Sequence, residues 1–243
     1  MMCGRYTLKT PADEIFQQLV MFQFASPRPL LSSIRPRYNI APNQKVLVIR
    51  CGASEAESNL ASGKSFEMSE MQWGRAFTTG QQKRSIINTR VETLKEKRQF
   101  QSAVNVRPCL IVADGYYEWK KSEGVNVPYY IYRKDHQLLL FVGIWQQLIH
   151  ADMPSIDCCT IVTCPASDPL DKIHGRMPLF TDSTAGMHWL IHSPGLDGCH
   201  SLLQSCSGKF LQMHTVHTQV NHVGFEHPSC VDPASFHRQK SLF

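Results

Sequence analysis

The sequence predicts an α+β fold: a largely antiparallel sheet, curled towards a barrel, with a few flanking helices. Three observations carry this expectation. Seven runs rich in β-branched and aromatic residues are separated by turn residues, which predicts strands. A sheet of that extent does not lie flat, so it curls. Helical patterns, by contrast, are few and mostly short.

Taken in order, the first element is a helix over Pro11–Phe24. Thr10 can cap it, Pro11 suits the first helical position, and Ile15, Phe16, Leu19 and Val20 share one face. Strands follow at Val46–Arg50 and Phe66–Trp73, separated by a Gly, Ala, Ser, Glu and Asn-rich surface loop over Cys51–Ser65. Further strands are expected at Cys109–Ala113, Tyr116–Lys120, Pro128–Arg133, Leu138–Trp145 and Cys158–Thr163. Asp114-Gly115 between two of them reads as a hairpin turn. Short helices are expected near Thr89–Gln99, Asp168–His174 and Thr184–His192.

Composition sets the bounds. The 243 residues are 42% hydrophobic and 19% charged, which suits one large domain or two small ones. No stretch approaches the roughly 20 apolar residues of a membrane span. Arg5 and Lys9, followed by Pro11, Asp13 and Glu14, leave no secretory apolar region at the N-terminus. The nine cysteines are odd in number and irregularly spaced, so reduced thiols in an intracellular protein are expected. The net charge of +5 hides an asymmetry: residues 1–122 carry +8 and residues 123–243 carry −3. A basic half is the electrostatic footprint of a polyanion partner, although a solvated basic surface gives the same count.

Cys3, in Cys3-Gly4-Arg5-Tyr6, carries the most chemistry. If the residues before it are removed, it presents an α-amine beside its thiol. Such a 1,2-aminothiol condenses with an aldehyde to a Schiff base and closes its thiol onto the same carbon as a thiazolidine. The same terminus can attack amide carbonyls, the thiolate as nucleophile and the amine as base. Three more segments place polar groups where a core strand does not need them: Asn88-Thr89-Arg90, Ala113-Asp114-Gly115-Tyr116-Tyr117-Glu118-Trp119 and Ile173-His174-Gly175-Arg176-Met177-Pro178.

Together, in this order, these segments resemble the SRAP family (SOS response-associated peptidase domain), whose members sense abasic sites in single-stranded DNA. The family opens Cys-Gly-Arg-aromatic, and Arg37-Tyr38-Asn39-Ile40-Ala41-Pro42 matches its next block. Trp73-Gly74, Ile87-Asn88-Thr89-Arg90-Val91-Glu92-Thr93 and Ile161-Val162-Thr163 also match. The resemblance runs from Cys3 to about Asn221, which implies a single domain over residues 3–221 and a C-terminal tail over 222–243.

The resemblance implies that Cys3 traps the aldehyde of an opened abasic deoxyribose, giving a covalent DNA–protein crosslink. Reference pKa values of about 8 for the amine and about 8.5 for the thiol leave a minority reactive at neutral pH, so neighbours must assist. Glu118 matches the family's catalytic glutamate and relays protons. His174 assists sugar ring opening or protonates a leaving oxygen. Asn88 orients the amine or the sugar. Arg90 and Arg5 clamp phosphates. Thr163 offers a hydroxyl to the backbone. Contacts of this kind position a strand without reading its bases. The family name implies a peptidase, and release of the residues before Cys3 by the same site fits it. No cofactor or metal is implied. The expected partner is single-stranded DNA with abasic sites, the expected state a monomer, and the expected location the nucleoid or cytoplasm in a bacterium and the nucleus in a eukaryote.

Two departures stand out. Met1-Met2 precede Cys3 where the family begins Met-Cys, so either translation starts at Met2 or the site removes both residues. Arg75-Ala76-Phe77-Thr78-Thr79 replaces the apolar, proline and tryptophan sequence usual after Trp73-Gly74. Three other readings compete. An N-terminal-nucleophile amidohydrolase of the glutaminase type also opens Cys-Gly, but its Arg-Gly and Asn-Gly pairs are missing here. A zinc module built on Cys199, Cys206, His214, His217 and His222 lacks a close Cys-x-x-Cys pair. A single-strand-binding protein with an inert terminus would release abasic DNA in salt and denaturant.

Overall fold

The long apolar runs become strands buried on both faces, as such runs require. The computed structural model describes residues 3–24, 33–52, 65–79, 82–96, 107–149, 154–192, 202–203 and 206–234. In chain order its elements are β1 (Arg5–Leu8), α1 (Ala12–Gln18), β2 (Arg37–Ile40), β3 (Lys45–Cys51), β4 (Phe66–Trp73), β5 (Arg75–Thr79), β6 (Gln82–Ile86), β7 (Asn88–Arg90) and α2 (Val91–Glu96). Then come β8 (Arg107–Ala113), β9 (Gly115–Ser122), β10 (Val125–Arg133), β11 (Leu139–Leu148), β12 (Ile156–Pro165), β13 (Arg176–Pro178), β14 (Phe180–Thr181), α3 (Ser183–His192) and β15 (Leu211–Thr215).

The expected curled sheet is present as a closed barrel. Strands β12, β4, β3, β8 and β11 pair in succession, and β11 pairs back onto β12 to close the ring. All these pairings are antiparallel except β12 with β4. A second sheet, ordered β15-β10-β9-β1-β2, is antiparallel throughout and carries the N-terminus at an interior position. One hydrophobic core joins barrel and sheet. Tyr6 of β1 packs edge-on against Trp73 of β4 at 5.2 Å and Phe141 of β11 at 5.9 Å. Each such ring pair adds about 0.5–1.5 kcal/mol beyond its area burial.

The structure changes several expected elements. Asp114-Gly115 is not a hairpin turn: β8 belongs to the barrel and β9 to the second sheet, and the two do not pair. Asp114 is a corner where the chain crosses between sheets. Its Oδ2 accepts from Lys9 N–H at 2.6 Å, Thr10 N–H at 2.8 Å and the Thr10 hydroxyl at 2.9 Å, while the Thr7 hydroxyl donates to Oδ1. Gly115 is required by close approach, because a Cβ there would meet the Tyr130 hydroxyl oxygen at 2.3 Å. The hairpin instead joins β9 to β10 through Glu123 and Gly124, both with positive φ (49° and 82°), as a two-residue turn of the primed kind demands.

The first helix is shorter than expected. It breaks after Gln18 into a 3-10 turn over Val20–Phe22, so Ile15, Leu19 and Phe22 face the core while Phe16 and Val20 are exposed. Thr10 does not cap it; its hydroxyl is taken by Asp114. Asn88–Arg90 is a strand parallel to β12, so helix begins only at Val91. Asp168–His174 contains a single 3-10 turn, Leu170–Lys172, whereas α3 lies where the sequence placed it. The departing segment after Trp73-Gly74 forms the two-stranded hairpin β5–β6.

The chain stays packed beyond Asn221. Val216 and Val220 join Tyr117, Tyr130 and Cys230 in a second apolar cluster, Val216 bridges Pro233, and Ala234 N–H donates to Thr215 O at 2.8 Å. The segment placed in a tail is therefore part of the packed unit up to Ala234, and residues 235–243 lie outside the described residues.

Candidate active site

The last ladder pair between β1 and β9 is Arg5 with Tyr117, so the chain before Arg5 runs alongside Glu118. There Cys3 N–H donates to Glu118 Oε1 at 2.7 Å. From β7, Asn88 Nδ2 donates to Cys3 O at 3.3 Å. Asn88 is set in turn by β4, since Trp73 Nε1–H donates to the carbonyl of Ile87 at 3.0 Å. Cys3 is thus gripped at both ends of its backbone by polar side chains from two different sheets. It is buried and has a positive φ of 23°, a region non-glycine residues seldom occupy and one enriched at functional positions.

Burial, reinforced by the charge of Glu118, pushes the Cys3 thiol well above the ordinary thiol range. Glu118 is 3% exposed, and burial raises its carboxyl; the Cys3 N–H and the His174 imidazole pull it back down. His174 Nδ1 stands 4.0 Å from Glu118 Oε1, 3.1 Å from Arg176 N and 3.2 Å from Arg176 O. Unprotonated, Nδ1 accepts from the Arg176 N–H; protonated, it donates to the Arg176 carbonyl. Either role of Nδ1 keeps the ring beside Glu118. A cleft of about 700 Å³ opens beside His174, walled by Gly4, Arg5, Trp119, Lys120, Lys121 and Lys172.

The structure therefore gathers Cys3, Asn88, Glu118 and His174 into one site. The other expected residues fare differently. Arg90 is exposed at the end of β7. Arg5 is half-buried, and its guanidinium is already engaged: Nη1 donates to Asn39 Oδ1 at 2.8 Å and Val220 O at 2.7 Å, and Nη2 to Asn221 O at 3.1 Å. Thr163 is fully buried, which leaves it no surface to offer DNA; its carbonyl accepts from Arg176 Nη2 at 2.6 Å.

Several residues were not assigned from sequence. Arg176 forms a two-pronged ion pair with Glu92 at 2.6 and 2.9 Å, which holds the Glu92 carboxyl below its usual range. Both residues sit inside the motif blocks, so a signal existed. Trp119 donates to Asn221 Oδ1 at 2.7 Å on the cleft wall. Asn39 Nδ2 donates to the carbonyls of Val220, His222 and Phe225, and Glu226 accepts from the backbone N–H groups of Tyr38 and Asn39. No local pattern could reveal contacts spanning 187 residues. Among the described residues, those of the zinc reading form no group that could hold a metal: the Cys206 thiol lies near Pro178 O, His214 Nε2 near Val231 O, and His217 Nδ1 accepts from Gln219 N–H. Cys199 lies outside the described residues.

Comparison with known proteins agrees with the motif reading. The chain is 28% identical to the abasic site processing protein YoqW of Bacillus subtilis, over 90% of this chain and 94% of that one. It is 30% identical to the abasic site processing protein YedK of Escherichia coli, over 78% and 79% respectively. A crystal structure of a Bacteroides thetaiotaomicron protein superposes with a TM-score of 0.72 at 20% identity, covering 96% of this chain and all of that one, which shows a shared fold. The family model for SOS response associated peptidase (SRAP) matches residues 2–223, and the chain belongs to that family.

Proposed function

We propose that this protein processes abasic sites in single-stranded DNA by forming a thiazolidine crosslink through Cys3, after its own site has released the residues that precede it. The names of the relatives support the substrate class. The observation that carries the mechanism is the 2.7 Å hydrogen bond from the Cys3 nitrogen to a buried carboxyl.

That nitrogen has two successive roles, and Glu118 serves both. In self-processing the Cys3 thiol adds to the carbonyl of Met2, and the Cys3 nitrogen is the leaving group. A carboxyl whose pKa is raised by burial carries a proton to it. Water then hydrolyses the thioester and frees the thiol. Once the nitrogen is an α-amine, the carboxylate takes a proton from its ammonium form. The amine attacks the aldehyde of the opened deoxyribose, His174 protonates the departing hydroxyl, and one water leaves as the Schiff base forms. The thiol adds to that carbon and its proton passes to the ring nitrogen, so no oxidant or metal is consumed. Arg90 and the lysines of the cleft hold the flanking phosphates, a contact that reads no base.

Incubation with single-stranded DNA bearing one abasic site, followed by denaturing electrophoresis, tests this. Wild type is expected to give a denaturant-stable adduct and Cys3→Ser none of comparable lifetime, because a hydroxyl closes only a weaker oxazolidine. An equally durable Cys3→Ser adduct would overturn the thiazolidine. Intact mass tests the processing step: wild type should begin at Cys3, whereas Cys3→Ala should retain Met1 and Met2. Active, crosslinking protein that keeps both methionines would remove the terminal amine from the mechanism.

A further inference from the structure

Asn88 and His174 reach the site from two short arms that share one support. Asn88 opens β7 and His174 stands two residues before β13, and both strands are three residues long. They lie along the two edges of β12: Thr163 is opposite Arg90 of β7 in a parallel ladder and opposite Pro178 of β13 in an antiparallel one. One side-chain contact then joins the arms directly. Glu92, in the first turn of α2 just after β7, accepts from both Nη groups of Arg176, the first residue of β13, at 2.6 and 2.9 Å. Arg176 Nη2 also donates to Thr163 O at 2.6 Å, so the pair is pinned at the residue where both ladders meet.

We propose that Glu92 and Arg176 are positioning residues: their two-pronged ion pair sets the spacing between the Asn88 amide that grips Cys3 and the His174 imidazole that faces Glu118. What that spacing serves rests on the reaction proposed above; that the pair sets it rests on geometry alone. The His174 ring is directed by Arg176, whose backbone N–H and C=O meet Nδ1 at 3.1 and 3.2 Å. Backbone bonds from His174 N–H to Leu170 O and from Ala166 N–H to Gly175 O, both at 3.1 Å, hold the chain at the bend but do not direct the ring. Packing does not hold the bend either, since a Cβ on Gly175 would meet nothing within 4 Å. The anchored guanidinium of Arg176 therefore decides where the bend stands. A fork of two parallel bonds fixes direction as well as distance, which a lysine cannot do. The Glu92 side chain is 44% exposed, and a pair that open to solvent adds little to stability, so its effect is on geometry. Buried Thr163 is the fixed point of this brace.

The first test reads the ring in the full chain without DNA, by ¹⁵N NMR of histidine-labelled protein, with the His174 signals identified by their loss in H174A. In wild type the neutral ring should carry its proton on Nε2, because Nδ1 accepts from the Arg176 N–H. E92Q and R176M should lose this single-tautomer signature. E92D, which keeps the charge and can keep one prong, should retain it. E92Q should melt within about 4 °C of wild type, as expected for an exposed pair. The second test uses single-stranded DNA bearing one abasic site. E92Q should lower the adduct rate at saturating DNA roughly 10–100-fold, the cost of a small misplacement, and leave the half-saturating concentration unchanged. In an R176M background E92Q should cost nothing further, since both substitutions break the same contact. His174 signals unaltered in E92Q, or E92D as perturbed as E92Q, would overturn the proposal. So would a lower salt slope of DNA binding in E92Q with the ring signature intact, which would make the pair part of the DNA contact. If wild type forms no adduct while E92Q still alters the ring, the brace stands and the crosslinking reading falls.

Discussion

Two buried carboxylates sit four residues apart, just before β9 and within it, and they do opposite things. Asp114 is 6% exposed and Glu118 is 3% exposed. Asp114 is saturated, with two backbone N–H groups and two hydroxyls donating to it. Glu118 accepts from one backbone nitrogen and faces an imidazole 4.0 Å away. The saturated carboxylate fixes a corner between two sheets. The carboxyl with fewer donors retains reach for a proton, and the group it holds is the candidate nucleophile. Depth of burial does not separate structure from chemistry here; the number of donors does.

The sharpest way to break this contrast is to remove Glu118. Glu118→Gln should slow adduct formation by about 10²–10⁴-fold, and His174→Ala by a similar factor, with much smaller changes in binding to intact single-stranded DNA. Equal losses in both assays would place these residues with Asp114, as structural groups. Asp114→Ala should show the reverse pattern. Leaving several buried donors unpaired costs about 3–5 kcal/mol, read by urea unfolding, while the adduct rate per folded molecule stays near wild type.

The pH dependence sharpens the comparison further. The Glu118 carboxyl has a higher pKa in the folded chain than in the unfolded one. The folded state therefore holds its proton more tightly. Its stabilising contribution is complete below the unfolded value of about 4.3 and is lost as pH rises through the folded value. Glu118→Gln lacks this loss, so its stability should gain on wild type as pH rises across that window. A difference that does not vary with pH would mean that Glu118 ionises alike in both states.

The smallest effect concerns the two arginines. Arg90→Ala should lower the salt slope of single-strand binding by about 0.7, one phosphate contact, whatever the base composition. Arg5→Ala should act mainly through stability, because its donors already serve Asn39, Val220 and Asn221. A loss of about 0.7 in salt slope with Arg5, and none with Arg90, would exchange their roles.

The residues that were legible in the sequence share a physical character. β4 lies at Phe66–Trp73 as expected because a run bounded by turn residues at both ends has only one place to start and stop. The strands β1 and β2 went unread, since four residues carrying Arg5 or Asn39 have neither length nor alternation to betray them. Asp114-Gly115 misled because a dipeptide reports that the chain turns, not whether the next strand pairs with the last. Cys3, Asn88, Glu118 and His174 were found through motif blocks, whose order in the chain survives folding. Asn39, Glu226 and the bonds that occupy Arg5 were not, because those contacts are made by the packed C-terminal segment and leave no trace in local pattern.

If DNA is held through Cys3 as proposed, the interior position of β1 bears on what happens when a machine runs into it. A strand bonded to Cys3 would transmit its pull straight into β1, which is hydrogen-bonded on one side to β2 and on the other to β9. Traction along that strand loads both ladders at once, in shear, instead of peeling them open one bond at a time from an edge. Extraction then requires many bonds to yield together. Tethered through Cys3, the domain should resist a motor on the DNA better than the same domain tethered through its edge strand β15, a difference that a force-ramp experiment reads directly.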